Sequence, residues 1–266
     1  ALLVVEDGTI FKGKSFGAST QSVGELVFNT SMTGFQEALT DPSYAGQALV
    51  FSYPLVGNYG ISKTANESDK VHATACIASE ACALPIHYQS SQTIDAFLQE
   101  HGVPGIYGLD TRAIVKKIRT QGAKICGVKT GLEENEVESA CKELLKKIKE
   151  FNYGAINFVE RVSTKEKYVS KAAGSGDKKI ALIDCGVKQS MVRELNKRGY
   201  SVLVHPFNAT SEDVLKDNPV GVMFSNGPGD PALMKETVKT MQDLLGELPI
   251  FGICLGHQVM GLAFGA

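Results

Sequence analysis

The residues best suited to chemistry form the run Gly252-Ile-Cys-Leu-Gly256. A glycine two positions to each side of Cys254 is typical of a nucleophile elbow, where a strand turns sharply into a helix and the nucleophile is pushed outward. The start of a helix also favours a thiolate, because the helix dipole is positive there. The backbone N–H of Leu255, the next residue, can donate to an oxyanion. The spacing therefore predicts that Cys254 is a catalytic nucleophile.

The alternative for any free cysteine is a buried structural role, since this is among the most buried residue types. The strand, glycines and helix around Cys254 make that the minority interpretation there. Six cysteines in 266 residues are too few for a disulfide scaffold, which favours a reducing, cytoplasmic location. No spacing resembles a metal site. The cysteines predicted to be structural are Cys76, Cys82, Cys126, Cys141 and Cys185.

A second candidate is the loop Ser225-Asn-Gly-Pro-Gly-Asp-Pro231, which follows the preceding predicted strand. Its glycines allow backbone amides to approach a ligand closely. It is either the other half of an oxyanion hole or an ordinary turn between a strand and a helix, and the residues alone leave both interpretations open. It does not match a Walker A loop, because no Gly-Lys-Ser/Thr follows.

Regular alternation of strands and helices begins at residue 180. Unbroken apolar strands that alternate with helices indicate a parallel sheet covered on both faces, hence a doubly wound α/β domain. Both candidate segments then lie at the carboxyl edge of that sheet, where such folds bind ligands. Strands are predicted at 180–184, 201–205, 220–225 and 249–253, with helices at 187–198, 210–217, 232–245 and from 255.

The first half of the chain has a different pattern and predicts a strand-rich, mixed α+β domain over residues 1–161. A polar, Gly-Ser-rich linker is predicted at 162–179, and the doubly wound domain at 180–266. Asp110 and Gly122 fit the two caps of one helix. Strands are predicted at 2–5, 10–11, 25–28, 47–51 and 71–81, with helices at 93–101, 111–121 and 132–150.

Composition excludes several classes of protein. Lys and Arg number 27 against 29 Asp and Glu, for a net charge of −2. This balance disfavours nucleic-acid binding by phosphate neutralisation. No apolar run approaches the roughly 18 residues of a membrane span. The apolar start at residues 1–5 is also too short for the core of a signal peptide.

Together the cysteine elbow, Phe251-Gly-Ile-Cys-Leu-Gly-His-Gln258, and the loop at 225–231 resemble the class I, or triad, glutamine amidotransferases, whose domain is flavodoxin-like. The first half narrows the resemblance to the small (glutaminase) subunit of carbamoyl-phosphate synthetase or the equivalent domain of fused pyrimidine-pathway proteins. The resemblance runs from Ala1 to Ala266. The motifs that carry it are Leu3-Val-Val-Glu-Asp-Gly8, Phe28-Asn-Thr-Ser-Met-Thr-Gly-Phe-Gln-Glu37, Leu39-Thr-Asp-Pro-Ser-Tyr44, Tyr53-Pro-Leu-Val-Gly-Asn58 and Leu109-Asp-Thr-Arg112.

This resemblance implies that Cys254 attacks the side-chain amide carbon of glutamine and forms a thioester that water hydrolyses. It implies that the amides of Leu255 and Gly229 hold the tetrahedral oxyanion. It also implies that Gly227, Gly229, Leu255 and Gln258 line the glutamine site, with Ser43 contributed by the first domain.

The resemblance implies a partner as well. Ammonia would pass to a large synthetase subunit, which uses bicarbonate, ATP and Mg for carbamoyl phosphate synthesis in arginine or pyrimidine biosynthesis. The amino-terminal domain would dock that subunit. This chain itself would need no cofactor.

One departure from the family concerns the base. The family has a His-Pro-Glu motif far beyond the nucleophile, whereas this sequence ends 12 residues after Cys254 and contains no such motif. We therefore expect a truncated chain with an incomplete second domain and little activity of its own. Among its histidines, His257 is predicted to be structural. His205 ends a strand near the same sheet edge and could reach the site, but the favoured prediction is a capping or solvent-facing role. His72, His87 and His101 belong to the first domain.

Two alternatives remain. Another class I amidotransferase, such as one feeding anthranilate or GMP synthesis, is disfavoured because those glutaminases lack the strand-rich first domain. A non-catalytic docking module is favoured by the missing His and Glu, but the intact elbow at Cys254 opposes it.

Overall fold

The computed structural model describes residues 1–174 and 178–266, which form two compact units, Ala1–Tyr153 and Gly154–Ala266. The predicted domain limits at 161 and 180 stay predictions. Residues 175–177 of the predicted linker lie outside the described residues.

The first unit is built on a mixed sheet. Eight of its described strands run in the order β2-β1-β10-β4-β5-β7-β9-β3, and β6 pairs with β8 in a separate parallel pair. Its strands are Leu2–Val5 (β1), Ile10–Lys12 (β2), Lys14–Gly17 (β3), Gln21–Asn29 (β4), Gln47–Phe51 (β5), Leu55–Val56 (β6), Ala75–Ile77 (β7), Glu80–Ala81 (β8), Pro104–Tyr107 (β9) and Lys124–Lys129 (β10). Its helices are Phe35–Thr40 (α1), Ile94–Glu100 (α2), Thr111–Gln121 (α3) and Val137–Glu150 (α4).

Local capping signals predicted the limits of α3 correctly, but not the start of α4. The side chain of Asp110 accepts from the amide of Ala113 at 2.9 Å, and Gly122 follows the last residue of α3, as predicted. The helix predicted at 132–150 begins later, because Glu134–Glu136 forms a 3-10 turn in which the Glu133 and Glu136 side chains complete a capping box.

Other elements of this unit depart from the predictions. Strands β3, β9 and β10 and helix α1 were not predicted, since each is short or contains glycine or proline. The long strand expected over 71–81 is divided into β7 and β8. Before β7 the amide of His72 instead donates to the carbonyl of Leu39 at 2.9 Å, which takes the chain out of the sheet.

The second unit confirms the doubly wound α/β fold. Its sheet has the order β11-β13-β12-β14-β15, in which β13, β12, β14 and β15 are parallel and β11 is antiparallel. Its strands are Tyr168–Ser170 (β11), Lys179–Asp184 (β12), Ser201–Pro206 (β13), Gly221–Phe224 (β14) and Ile250–Gly252 (β15). Its helices are Val159–Val162 (α5), Gln189–Lys197 (α6), Ser211–Leu215 (α7), Lys235–Leu244 (α8) and Leu255–Ala263 (α9).

Side chains alternate between the two faces of this sheet. Ala181 and Ile183 pack in one core with residues of α8 and α9, whereas Leu182 packs with Val192 of α6. The sheet has helices on both faces, as predicted, but Phe251 of β15 is 62% exposed. The reason is that β15 is an edge strand and α6 lies over β13.

Strand order determines where this unit can bind a ligand. The chain passes from β12 to β13 on one side and then to β14 on the other, so the order reverses between β12 and β14. Open α/β sheets bind ligands outside the carboxyl ends of the strands at such a reversal. The segments that follow these two strands begin at Cys185 and Ser225, and Cys254 follows the neighbouring strand β15. Within the described ranges, no helix combines the length and apolar character needed to cross a bilayer.

Candidate active site

Cys254 has a strained backbone. Its φ is 52° and its ψ is −110°, which lies outside the regions that L-residues normally occupy. A residue held in such a conformation costs on the order of 1–3 kcal/mol, and strain of this kind is concentrated at functional sites. The side chain is exposed at the start of α9. This is the geometry of a nucleophile elbow, as the sequence predicted.

Both flanking glycines are required by close backbone contacts. A Cβ on Gly252 would lie 2.6 Å from the carbonyl oxygen of Gly256, and a Cβ on Gly256 would lie 2.3 Å from the carbonyl oxygen of Phe224. The amide of Gly256 donates to the carbonyl of Ser225 at 3.0 Å. The start of α9 therefore packs directly on the end of β14, which places Cys254 beside the loop that follows β14.

That loop, residues 225–230, is fixed by buried hydrogen bonds. The hydroxyl of Ser225 accepts from the amide of Cys185 at 2.9 Å and donates to the carbonyl of Asn226 at 2.8 Å. The side-chain amide of Asn226 donates to the carbonyl of Gly186 at 2.9 Å. A Cβ on Gly227 would lie 1.9 Å from the carbonyl oxygen of Cys185. These hydrogen bonds thus join the loops after β12 and β14 into one rigid segment at the carboxyl edge of the sheet.

The carboxylate of Asp184, at the end of β12, fixes the loop that follows β12. One carboxylate oxygen accepts from the amides of Gly186 and Val187 at 2.9 and 2.8 Å, and the other accepts from the amide of Thr164 at 2.7 Å. Burial raises the pKa of Asp184, and the three amide donors oppose that shift. Asp184 is not among the predicted site residues. A polar residue that ends a buried parallel strand is the signal that points to it.

We expect Asp184→Ala to lower the free energy of unfolding by about 3 kcal/mol, because one buried and two partly buried amides lose their acceptor. Urea denaturation measures this loss. The matched control is Asp230→Ala, since the exposed Asp230 accepts from the amide of Ala232, at 2.9 Å, in a short 3-10 turn, and from no other amide of the described residues. A loss of about 1 kcal/mol or less is expected for the control. Equal losses in the two variants would contradict the anchoring role of Asp184.

Most of the predicted site residues come together in this second unit. Leu255 is buried, and as the first residue of α9 its N–H has no acceptor within the helix. Gln258 is exposed one turn after Cys254, and its amide donates to the Cys254 carbonyl at 3.0 Å. Gly227 lies against Leu255, and Gly229 has a φ of 86° in the same loop. Ser43 belongs to the first unit, in the 3-10 turn Pro42–Tyr44, where its amide donates to Asp41 at 2.9 Å.

The histidines of this unit differ from the predictions. His205 is not solvent-facing: it is 1% exposed, and its Nε2 lies 3.4 Å from a carboxylate oxygen of Asp217. Burial lowers the pKa of His205. His257, predicted to be structural, is exposed. In the first unit, burial lowers the pKa of His72 to about 4.

The six cysteines differ in how far their thiols are exposed to solvent. All six are free thiols, and Cys254 is exposed. Burial raises the pKa of Cys76, Cys126 and Cys185 well above the ordinary range, which makes these three unreactive. The prediction of a buried thiol is wrong for Cys82, which is half-buried because it follows the edge strand β8.

Comparison with known proteins agrees with this geometry. The family model described as "Carbamoyl-phosphate synthase small chain, CPSase domain" matches residues 3–128, and "Glutamine amidotransferase class-I" matches residues 181–266. A carbamoyl phosphate synthase small chain from Methanopyrus kandleri is 47% identical over 266 residues, which is 100% of this chain and 72% of the relative. This chain belongs to the carbamoyl phosphate synthase small chain family.

Relatives from distant organisms support the assignment. The small chain of Fusobacterium nucleatum is 45% identical over 99% of this chain and 71% of its own length. The pyrimidine-specific small chain of Bacillus subtilis is 44% identical over 99% of this chain and 70% of its own length. These matches confirm the family predicted from the elbow and the amino-terminal motifs. The residues matched by the class-I glutamine amidotransferase model include the elbow at Cys254.

Proposed function

We propose that this protein is the glutaminase chain of a carbamoyl phosphate synthase, with Cys254 as the nucleophile. The strained backbone of Cys254 carries the proposal, since a φ of 52° exposes the thiol at the start of a helix at a structural cost. The two flanking glycines are sterically required to form this strained turn.

In the proposed reaction, the Cys254 sulfur forms a bond to the side-chain amide carbon of glutamine, and the carbonyl oxygen becomes an oxyanion. The N–H groups of Leu255 and Gly229 donate to that oxyanion. The oxyanion collapses, the C–N bond breaks and ammonia leaves with an added proton. Water then cleaves the thioester, which gives glutamate and restores the thiol. Gly227 and Gln258 line the glutamine site, as the family resemblance implies, and Ser43 stays a predicted site residue.

Proton transfer to the leaving ammonia needs a general acid. We do not assign this role to His205, which is buried against Asp217. In the family that the chain resembles, this role belongs to a histidine that is oriented by a glutamate in a His-Pro-Glu motif, and that motif does not occur in this sequence. The relatives are longer than this chain, which covers 72% of the Methanopyrus kandleri protein.

The proposed function requires a partner chain that consumes ammonia and a cellular compartment in which thiols stay reduced. Ammonia is consumed by a large synthetase chain that uses bicarbonate, ATP and Mg, whereas this chain binds no cofactor of its own. Six free thiols are suited to a reducing compartment, which supports the cytoplasm as the location.

The test is to label the full-length protein with a glutamine analogue that carries a diazo-ketone, and to map the labelled peptide. We expect label on Cys254, blocked by glutamine but not by asparagine, together with release of ammonia from glutamine. The half-buried Cys82 is the internal control and should stay unlabelled. Absence of both glutamine-protected label and ammonia release would leave a docking module without catalysis.

A further inference from the structure

One segment of the second unit lies against the candidate site but contains none of the predicted site residues. It comprises residues 156–164, which include α5 and fall between the ranges that the two family models match, and we call it the bracing segment. A Cβ on Gly229 would lie 3.9 Å from the carbonyl oxygen of Ile156 and 3.9 Å from both the amide nitrogen and the ring Cδ2 of Phe158. Phe158 therefore packs beside the residue whose N–H donates to the oxyanion in the proposed reaction.

The bracing segment also contacts the loop that follows β12. A Cβ on Gly186 would lie 3.1 Å from Cγ2 of Val162 and 3.1 Å from the Cα of Gly227. The amide of Thr164 donates to the carboxylate of Asp184 at 2.7 Å. The loops after β12 and β14 are thus supported by the same segment.

Phe158 is itself held in a fixed position. Its side chain is buried, and Val159, the next residue, is buried in the core that includes α8 and α9. The guanidinium carbon of Arg161 lies 5.3 Å from the centroid of the Phe158 ring. The hydroxyl of Ser163 accepts from the amide of Phe207 at 3.0 Å, which fixes the chain just after α5. Because protein interiors are close-packed, a ring held in this way restrains the backbone beside it.

The conformation of Gly229 makes this restraint important. Ser225 and Asn226 fix the first half of their loop by buried hydrogen bonds, whereas Gly229, in the second half, has a φ of 86° and no side chain that could pack. Glycine has more conformational freedom than any other residue. An oxyanion donor, however, is effective only when it is held in advance within about 3 Å of the position that the oxyanion will occupy.

We propose that Phe158 is a positioning residue of the glutaminase reaction, which holds Gly229 so that its N–H is directed at the oxyanion. The inference rests on the proposed function, which supplies that oxyanion. The oxyanion forms only when Cys254 attacks the amide carbon, so correct placement of Gly229 stabilises the transition state more than bound glutamine. Loss of the contact should therefore lower kcat and leave KM nearly unchanged.

The kinetics of ammonia release from glutamine by the full-length protein with its large chain test the inference. We expect Phe158→Ala to lower kcat by about 50-fold, because a misplaced oxyanion donor loses most of its effect, with KM within about twofold of the wild type's. Phe158→Leu keeps part of the contact and should lower kcat by about fivefold. The matched control is Met241→Ala, since Met241 is buried in α8 of the same unit. Its melting temperature should fall as in Phe158→Ala, while kcat stays within about twofold of the wild type's.

Alkylation of Cys254 by iodoacetamide separates the positioning of Gly229 from general damage to the site. In this reaction the sulfur forms a bond to a CH2 carbon and iodide leaves, so no oxyanion develops. We expect the rate of alkylation in both Phe158 variants to stay within about twofold of the wild type's, because the thiol and the start of α9 are unchanged. Mass spectrometry of the peptide that contains Cys254 measures this rate.

The other results would overturn the positioning role and leave the proposed function standing. They are a wild-type kcat in the Phe158 variants, an equal loss of kcat and of alkylation, a raised KM with unchanged kcat, and a loss of kcat in Met241→Ala as large as in Phe158→Ala. If Phe158→Ala does not fold, Phe158→Leu decides by the same criteria. A wild-type protein that releases no ammonia from glutamine would overturn the proposed function itself.

Discussion

Replacement of Cys254 by alanine is expected to lower glutamine hydrolysis by about a hundred-thousand-fold, the effect seen when a covalent nucleophile is removed from a hydrolase. Without the thiol, no bond to the amide carbon forms, and the oxyanion donors alone stabilise little. Ammonia release by the full-length protein with its large chain is the measurement. Cys82→Ala is the control, because Cys82 is a half-buried thiol of the first unit. Retention of more than about a hundredth of the activity in Cys254→Ala would overturn the proposed mechanism.

Strain at Cys254 makes a second variant informative. Glycine adopts positive φ without steric cost, so Cys254→Gly should be more stable than Cys254→Ala by about 1 kcal/mol while both stay inactive. The two variants remove the same chemistry and differ only in how they fit a φ of 52°. Equal free energies of unfolding for the two variants would show that the elbow is not strained. A difference of about 1 kcal/mol would measure the strain at residue 254 independently of catalysis.

The elbow could be predicted because its determinants are local. Gly252, Cys254 and Gly256 lie within five positions, and the close contact that requires Gly252 is made with Gly256 in the same turn. The parallel strands were predicted for a similar reason, since an apolar run such as that of β12 reflects burial on both faces. Once those strands were placed, the carboxyl edge followed from general rules of α/β folds.

The anchoring of the site could not be predicted in the same way. Asp184 and Thr164 are 20 positions apart, and Cys185 and Ser225 are 40 apart, so their hydrogen bonds depend on the fold as a whole. The same reason explains the strands missed in the first unit. Strand β9, which contains proline and glycine, exists because β7 and β3 pair with it on either side. Tertiary context there overrides weak local propensity.

Adding one methyl group at Gly256, in α9, is expected to cause a large loss of both stability and activity. Gly256→Ala places a Cβ 2.3 Å from the carbonyl oxygen and 2.6 Å from the carbonyl carbon of Phe224, and both are backbone atoms of β14 that cannot move aside cheaply. The start of α9 must then shift away from β14. We expect a loss of about 3 kcal/mol in the free energy of unfolding. A shift of about 1 Å at Cys254 should also lower glutamine hydrolysis by about 100-fold.

Gly261→Ala is the matched control for that substitution, since it makes the same change in the same helix. A Cβ there meets only the Cβ of Ala266, at 3.9 Å, which is ordinary contact. Alanine is the better helix former, so this variant should be unchanged or more stable by up to about 1 kcal/mol, with normal activity. Helix propensity favours alanine at both positions 256 and 261, but the contact with Phe224 excludes it at 256 alone. Comparing the two variants therefore separates these two effects. If Gly256→Ala proved as stable and active as Gly261→Ala, the packing of α9 on β14 would not be what positions the nucleophile.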